Sequence, residues 1–144
     1  MNPDLTIFYA DDDAEDREFF REATSMINGI QLFTHNHGNA LLDALENPPP
    51  SPHIIFLDLN MPGKNGFEIL RELKATHRFK EIPVVIFSTS SDEKNVAQSL
   101  EMGASFYLPK LENYESYIKS IQHTLSIDWQ NFKPTRENFL YTAA

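Results

Sequence analysis

Apolar runs alternate with helix-period segments through most of this chain, and two of the runs have no polar break. These are the runs at 53–57 and 82–87, centred on Ile54-Ile55-Phe56-Leu57 and Val84-Val85-Ile86-Phe87. A strand with one face in solvent alternates apolar and polar residues, so an unbroken run belongs to a sheet covered on both sides. Further strands are predicted at about 5–10, 30–35 and 105–108, and helices at about 14–27, 39–46, 66–76, 92–102 and from 112 onward. On the first helix Phe19, Phe20, Ala23, Met26 and Ile27 recur on one face; on the third, Phe67, Leu70 and Leu73; on the fifth, Tyr114, Tyr117 or Ile118, Ile121 and Leu125. Asp13 is placed to cap the first helix, with Glu15 and Asp16 in its first turn. Asn28-Gly29, the proline run 48–52, the turn Met61-Pro62-Gly63-Lys64-Asn65-Gly66 and Gly103 punctuate the elements.

Five strands alternating with five helices imply a parallel sheet with right-handed crossovers. The fold class is α/β, a flavodoxin-like (βα)5 three-layer sandwich with strand order 2-1-3-4-5. In such a sheet the carboxyl ends of the strands share one edge, and ligands bind there at the switch between strands one and three. The first strand is followed by Asp11, Asp12 and Asp13, the third by Asp58; the fourth run ends in Ser88 and the fifth near Lys110. Each residue alone has a structural reading: an aspartate as a cap, a serine satisfying backbone, a lysine in solvent. Together the topology brings them to one place. Several carboxylates in one place repel and need a cation, and Mg²⁺ is the hard ion that suits them. A hydroxyl and an ammonium beside them complete a phosphoryl site, with Asp58 able to act as nucleophile.

A chain of 144 residues suits one domain. The reading is a domain over 1–126 and a tail over 127–144, without a second domain. Trp129, Phe132, Phe139, Leu140 and Tyr141 make that tail too aromatic for a solvated linker, so it packs back on the domain or joins an interface. A formal net charge of −9 and no basic cluster exclude nonspecific binding to nucleic acid or anionic membrane. The absence of cysteine excludes disulfides and thiol chemistry. No apolar stretch approaches the roughly 20 residues of a membrane helix, and Met1-Asn2-Pro3-Asp4 lacks the basic and apolar regions of a signal peptide. A cytoplasmic protein is expected.

The segments YADDD, LDLNMPGKNG, IPVVIFSTS and GASFYLPK, in this order and spacing, resemble the receiver domain of two-component response regulators, the CheY-like family. The resemblance covers roughly Asp4 to Ser126. It implies Asp58 as phosphoacceptor, Asp12 as direct Mg²⁺ ligand, Asp11 as its water-mediated companion, and Asn60 as the residue whose backbone carbonyl binds Mg²⁺. It implies Ser88 as the hydroxyl that bonds the phosphoryl oxygen, Tyr107 as the aromatic switch residue and Lys110 as the partner of the aspartyl phosphate. Trp129 and the segment FSTSSDE resemble regulators that partner phytochrome-type histidine kinases. Two positions depart from the family. Lys110 is followed by Leu111 where the family has proline after a cis bond. A cis bond before a non-proline residue costs about 2.5–4 kcal/mol, so a trans 110–111 bond and a rearranged loop are expected, with Lys110 still reaching Asp58. Thr89 replaces the usual small residue after the switch hydroxyl, where it narrows access.

The resulting expectation is a stand-alone receiver, phosphorylated on Asp58 by a sensor histidine kinase or phosphotransfer protein with Mg²⁺. It is not an enzyme, though the resemblance implies a part in its own phosphorylation and dephosphorylation. Output goes to a downstream protein through the face of helix four, strand five and helix five, with Val96 and Tyr107 as members, and a homodimer is kept as a further partner without an assigned face. Two rivals are a phosphorylation-independent adaptor and a phosphatase of the haloacid dehalogenase type. The second would need an acid two residues after its nucleophile, where Asn60 stands and cannot donate a proton.

Overall fold

The strands Leu5–Ala10 (β1), Ile30–His35 (β2), Ile54–Leu57 (β3), Val84–Ser88 (β4) and Phe106–Pro109 (β5) alternate with five helices. The helices are Ala14–Ser25 (α1), Gly38–Glu46 (α2), Gly66–Ala75 (α3), Glu93–Glu101 (α4) and Tyr114–Ser126 (α5). This computed structural model describes residues 5–61 and 63–142. The readings made on Met1–Asp4, on Pro62 and on the last two residues of the tail lie outside them. All four strand pairings are parallel, and the sheet order is β2-β1-β3-β4-β5, as the alternation of elements predicts.

Successive strand residues point to opposite faces, and both faces are buried. Ile7, Tyr9, Ile54, Phe56, Val85 and Phe87 meet Phe20 and Ala23 of α1 and Tyr117 and Ile121 of α5. Phe8, Ala10, Ile55, Leu57, Val84 and Ile86 meet Leu41 and Leu45 of α2 and Ile69, Leu70 and Leu73 of α3, with Val96 and Leu100 of α4 packed against them. The unbroken apolar runs are therefore explained by a three-layer arrangement.

Local chemistry sets the helix starts. The Asp13 side chain accepts from the Glu15 and Asp16 amides at 2.8 and 3.2 Å. Asn65 and Glu68 form a reciprocal capping box at the head of α3. The element ends differ from expectation by one or two residues. Pro83 has no N–H to donate, so β4 begins at Val84 and not at 82. Asn113 caps α5, which starts at Tyr114 and not at 112. The helix faces also need correction. Phe19 is 48% exposed, Met26 58% and Tyr114 43%, because they fall on the flanks of stripes whose centres are Phe20, Ala23, Tyr117 and Ile121.

The tail packs back on the domain. Trp129, Phe132 and Tyr141 lie against the α1–α5 face, and Phe139 is buried on the opposite face. Leu140 forms a parallel bridge with Tyr107 at the free edge of β5. Among the described residues no helix is long and apolar enough to cross a membrane. The cis bonds of the described residues are both in the proline run, at 48–49 and 49–50, so the 110–111 bond is trans.

Candidate functional site

Three site residues each lie one step past the end of a strand, and each is held by a last rung of the ladder. The Asp11 amide donates to the His35 carbonyl at 3.0 Å, the Asp58 amide to the Ala10 carbonyl at 3.0 Å, and the Lys110 amide to the Ser88 carbonyl at 2.7 Å. Ser88 closes β4 opposite Pro109. Side chains at the sheet edge are thus fixed by the sheet itself. Gly66 holds the Asp58 segment from behind: a Cβ there would meet the Asp58 carbonyl oxygen at 2.5 Å and Leu59 Cα at 2.7 Å. A glycine lets the first turn of α3 lie directly against the backbone that carries Asp58.

Carboxylate oxygens of Asp11, Asp12 and Asp58 lie within 4.8 Å of one another. Asp11 and Asp58 are buried, and Asp12 is exposed. The Lys110 ammonium donates to Asp11 Oδ2 at 2.6 Å and to Asp16 Oδ2 at 2.8 Å, and lies 3.6 Å from Asp58 Oδ1. The Tyr9 hydroxyl also donates to Asp11 Oδ2, the Asp13 amide donates to Asp11 Oδ1, and Arg17 Nη1 donates to the Asp11 carbonyl. The Asn60 backbone bonds the Asp58 carboxylate, while the Asn60 side chain is in an exposed residue.

Burial pushes the Asp58 carboxyl up to about 7; the Lys110 ammonium opposes that shift and the Asp11 charge adds to it. Burial alone would lower Lys110, but its hydrogen bonds to Asp11 and Asp16 outweigh that, and the ammonium is held above its ordinary range. Burial and the neighbouring Asp11 raise the Tyr9 phenol, which therefore stays a donor. Lys110 is already shared between two carboxylates, so the cluster keeps an excess of negative charge. A divalent cation fits that donor set, which is oxygen-only and partly open through Asp12.

Ser88 is fully buried, and its hydroxyl accepts from the Ser90 amide at 3.2 Å. Tyr107 is fully buried too, with its hydroxyl donating to the Ser90 carbonyl at 2.6 Å. It is not on the α4–β5–α5 surface as expected, because Phe139 and Leu140 cover it. Val96 is partly exposed. Thr89 is exposed on the rim of a cavity of about 290 Å³ that it shares with Asp16, Phe19, Lys110, Tyr114 and Tyr117. The sequence reading missed Tyr9 and Asp16 as site members. Tyr9 was signalled by its spacing, since residues two apart in a strand share a face. Asp16 was signalled by the immediate start of α1, which keeps its first turn beside the strand end.

The response regulator receiver domain family matches residues 7–122, from β1 into α5. The chain belongs to the response regulator receiver family. It is 34% identical to response regulator Rcp1 of Synechocystis sp. over 84% of this chain and 86% of that protein. The Mn²⁺-bound structure of Rcp1 superposes with a TM-score of 0.77 at 30% identity, covering 91% of this chain and 99% of that one. The structure of the phosphorylated cyanobacterial phytochrome response regulator RcpA gives 0.76 at 27% identity, covering 90% and 96%. The transcriptional regulatory protein CpxR of Escherichia coli is 32% identical over 83% of this chain, which spans 48% of its length. This receiver is therefore a signalling module of a two-component system; receiver domains bind a divalent metal at an acidic pocket, and an acidic cluster is present here.

Proposed function

We propose that Asp58 accepts a phosphoryl group from a phosphohistidine of a sensor kinase or phosphotransfer protein, with Mg²⁺ held by Asp11, Asp12, Asp58 and the Asn60 carbonyl. The observation that carries this reading is the cluster of three carboxylates within 4.8 Å, with one lysine ammonium 3.6 Å from the buried member. A carboxylate oxygen of Asp58 forms the new bond to phosphorus as the bond from phosphorus to the donor imidazole nitrogen breaks. Lys110 neutralises charge beside the transferred group, and the Ser88 hydroxyl donates to it; the support for these roles is the 3.6 Å separation of Lys110 from Asp58 and the pairing of β4, which Ser88 ends, with β3. The bound cation would supply further charge neutralisation and orientation for the phosphoryl oxygens. The same groups serve a small donor such as acetyl phosphate, so the receiver contributes to its own phosphorylation and to the hydrolysis that ends it.

Signal then passes by protein contact on the α4–β5–α5 face, in the cytoplasm where the kinase domain resides. That face is also where a homodimer would form. RcpA is a phytochrome response regulator, and kinases of the phytochrome type are the first donors to test. Purified, autophosphorylated histidine kinases of the source organism are mixed with the receiver and Mg²⁺. One kinase should lose its label to the receiver within a short incubation, and chelation of Mg²⁺ should stop the transfer. Transfer that survives chelation, or an equal transfer to Asp58→Asn, would overturn the assignment.

A further inference from the structure

The Lys110 ammonium stands among three carboxylates and bonds two of them. It donates to Asp11 Oδ2 at 2.6 Å and to Asp16 Oδ2 at 2.8 Å, and its 3.6 Å separation from Asp58 Oδ1 is too long for a hydrogen bond. An ammonium has three N–H donors, so one remains for a group that arrives at Asp58. The three carboxylates differ in their other duties. Asp11 and Asp58 belong to the cluster that fits a cation, and Asp58 is also the reacting group. Asp16 is outside that cluster. Its bond to Lys110 is the one that competes with neither the cation nor the phosphoryl group.

Lys110 needs such a hold. Its backbone is fixed by the bond from its amide to the Ser88 carbonyl at 2.7 Å, but a long flexible stem separates that point from the charge. Lys110 and Asp16 both line the cavity of about 290 Å³, and the exposed Glu112 stands on the same rim. Open space and a rival carboxylate are therefore next to the ammonium. Asp16 itself is well seated in the first turn of α1, where its amide donates to the capping Asp13 side chain at 3.2 Å. We propose that Asp16 is a positioning residue for phosphoryl transfer, its carboxylate holding the Lys110 ammonium beside Asp58 with one N–H free for a phosphoryl oxygen. The proposal rests on the reading of Asp58 as phosphoacceptor.

Asp16 acts through Lys110 and not on the donor. As an Asp58 oxygen bonds to phosphorus and the donor's bond to phosphorus breaks, charge on the phosphoryl oxygens is stabilised best by a cation already in place. A catalytic group displaced by about 1 Å can cost about a hundredfold in rate. The Asp16–Lys110 pair contributes little to folding, because the Asp16 side chain is 33% exposed and water screens it. Loss of the Asp16 charge should therefore be felt in the rate of transfer, and far less in stability or metal binding.

The full chain is treated with acetyl phosphate and saturating Mg²⁺, and intact mass follows the adduct on Asp58 as acetate leaves. Asp16→Asn, which keeps the shape and loses the charge, should be phosphorylated about tenfold more slowly than wild type. Its Mg²⁺ titration and melting temperature should be nearly unchanged. Asp16→Glu, which keeps the charge, should regain most of the rate. In a Lys110→Ala background, followed over hours, Asp16→Asn should change the rate less than about twofold, because nothing is left to position. Four results would overturn the proposal and leave the functional reading standing: an Asp16→Asn chain as fast as wild type, an Asp16→Glu chain as slow as Asp16→Asn, the same slowing without Lys110, or a loss of Mg²⁺ affinity that accounts for it. Absence of the adduct from wild type, or an equal adduct on Asp58→Asn, would overturn the functional reading and the role of Asp16 with it.

Discussion

The carboxyl edge of the sheet and the outer edge of β5 solve opposite problems. At the carboxyl edge the backbone ladder forces Asp11 and Asp58 into burial beside Asp12, with one shared ammonium between them. At the β5 edge the tail satisfies the Tyr107 backbone and buries Phe139. The first arrangement costs stability while its carboxylates lack a cation; the second contributes stability by burial. Function is concentrated where the native state is electrostatically frustrated, and the apolar packing around it carries that cost.

The largest test of this contrast is Phe139→Ala. Truncating a fully buried phenylalanine costs about 3–5 kcal/mol, so urea unfolding should show a loss of that order. A loss below about 1 kcal/mol would mean that the tail is not part of the folded core and that the two edges do not differ as described.

A smaller effect should come from pH. The folded Asp58 carboxyl titrates near 7, above its ordinary value of 3.8, so the folded state binds the proton more tightly than the unfolded state. This contribution to stability therefore grows as pH falls through about 7 and is complete below the unfolded value. Without metal, the wild type should gain about 2 kcal/mol between roughly pH 8 and pH 5 relative to Asp58→Asn, less than the full shift because part of it lies below pH 5. Thermal unfolding of both proteins in chelator measures the difference. Parallel pH curves would show that Asp58 carries no electrostatic cost.

The smallest effect concerns Asp13, the one aspartate of the first three that faces the helix and not the cluster. Asp13→Ala should lose about 1 kcal/mol of stability, the ordinary worth of an N-cap, and keep its Mg²⁺ titration and phosphorylation rate. A shifted metal titration would move Asp13 into the site and blur the comparison.

The two edges also differ in how far they could be read from the chain. Asp11, Asp12, Asp58, Ser88 and Lys110 are legible because a parallel sheet sends every strand end to one side, so local position along five apolar runs predicts a three-dimensional cluster. The sheet order follows from the same alternation. The sharing of Lys110 with Asp16 is not legible, since it depends on where α1 begins and how a long side chain turns. Phe19, Met26 and Tyr114 sit at the flanks of amphipathic stripes, and only the neighbouring helices decide whether a flank is covered. The seat of the tail on Tyr107 has no period or turn signal at all. Its composition indicates that Phe139 and Leu140 need burial, and the partner strand is set by pairing across the fold.

The central claim is that Asp58 is where the phosphoryl group goes. Borohydride reduction of the chain after treatment with acetyl phosphate and Mg²⁺, followed by peptide mapping, reads this directly, because an aspartyl phosphate is reduced to homoserine at its own position. Homoserine at position 58 alone, absent when Mg²⁺ is chelated, is the predicted result. Homoserine at position 11 or 12, or an unmodified position 58 in a chain that carries the phosphoryl mass, would contradict it.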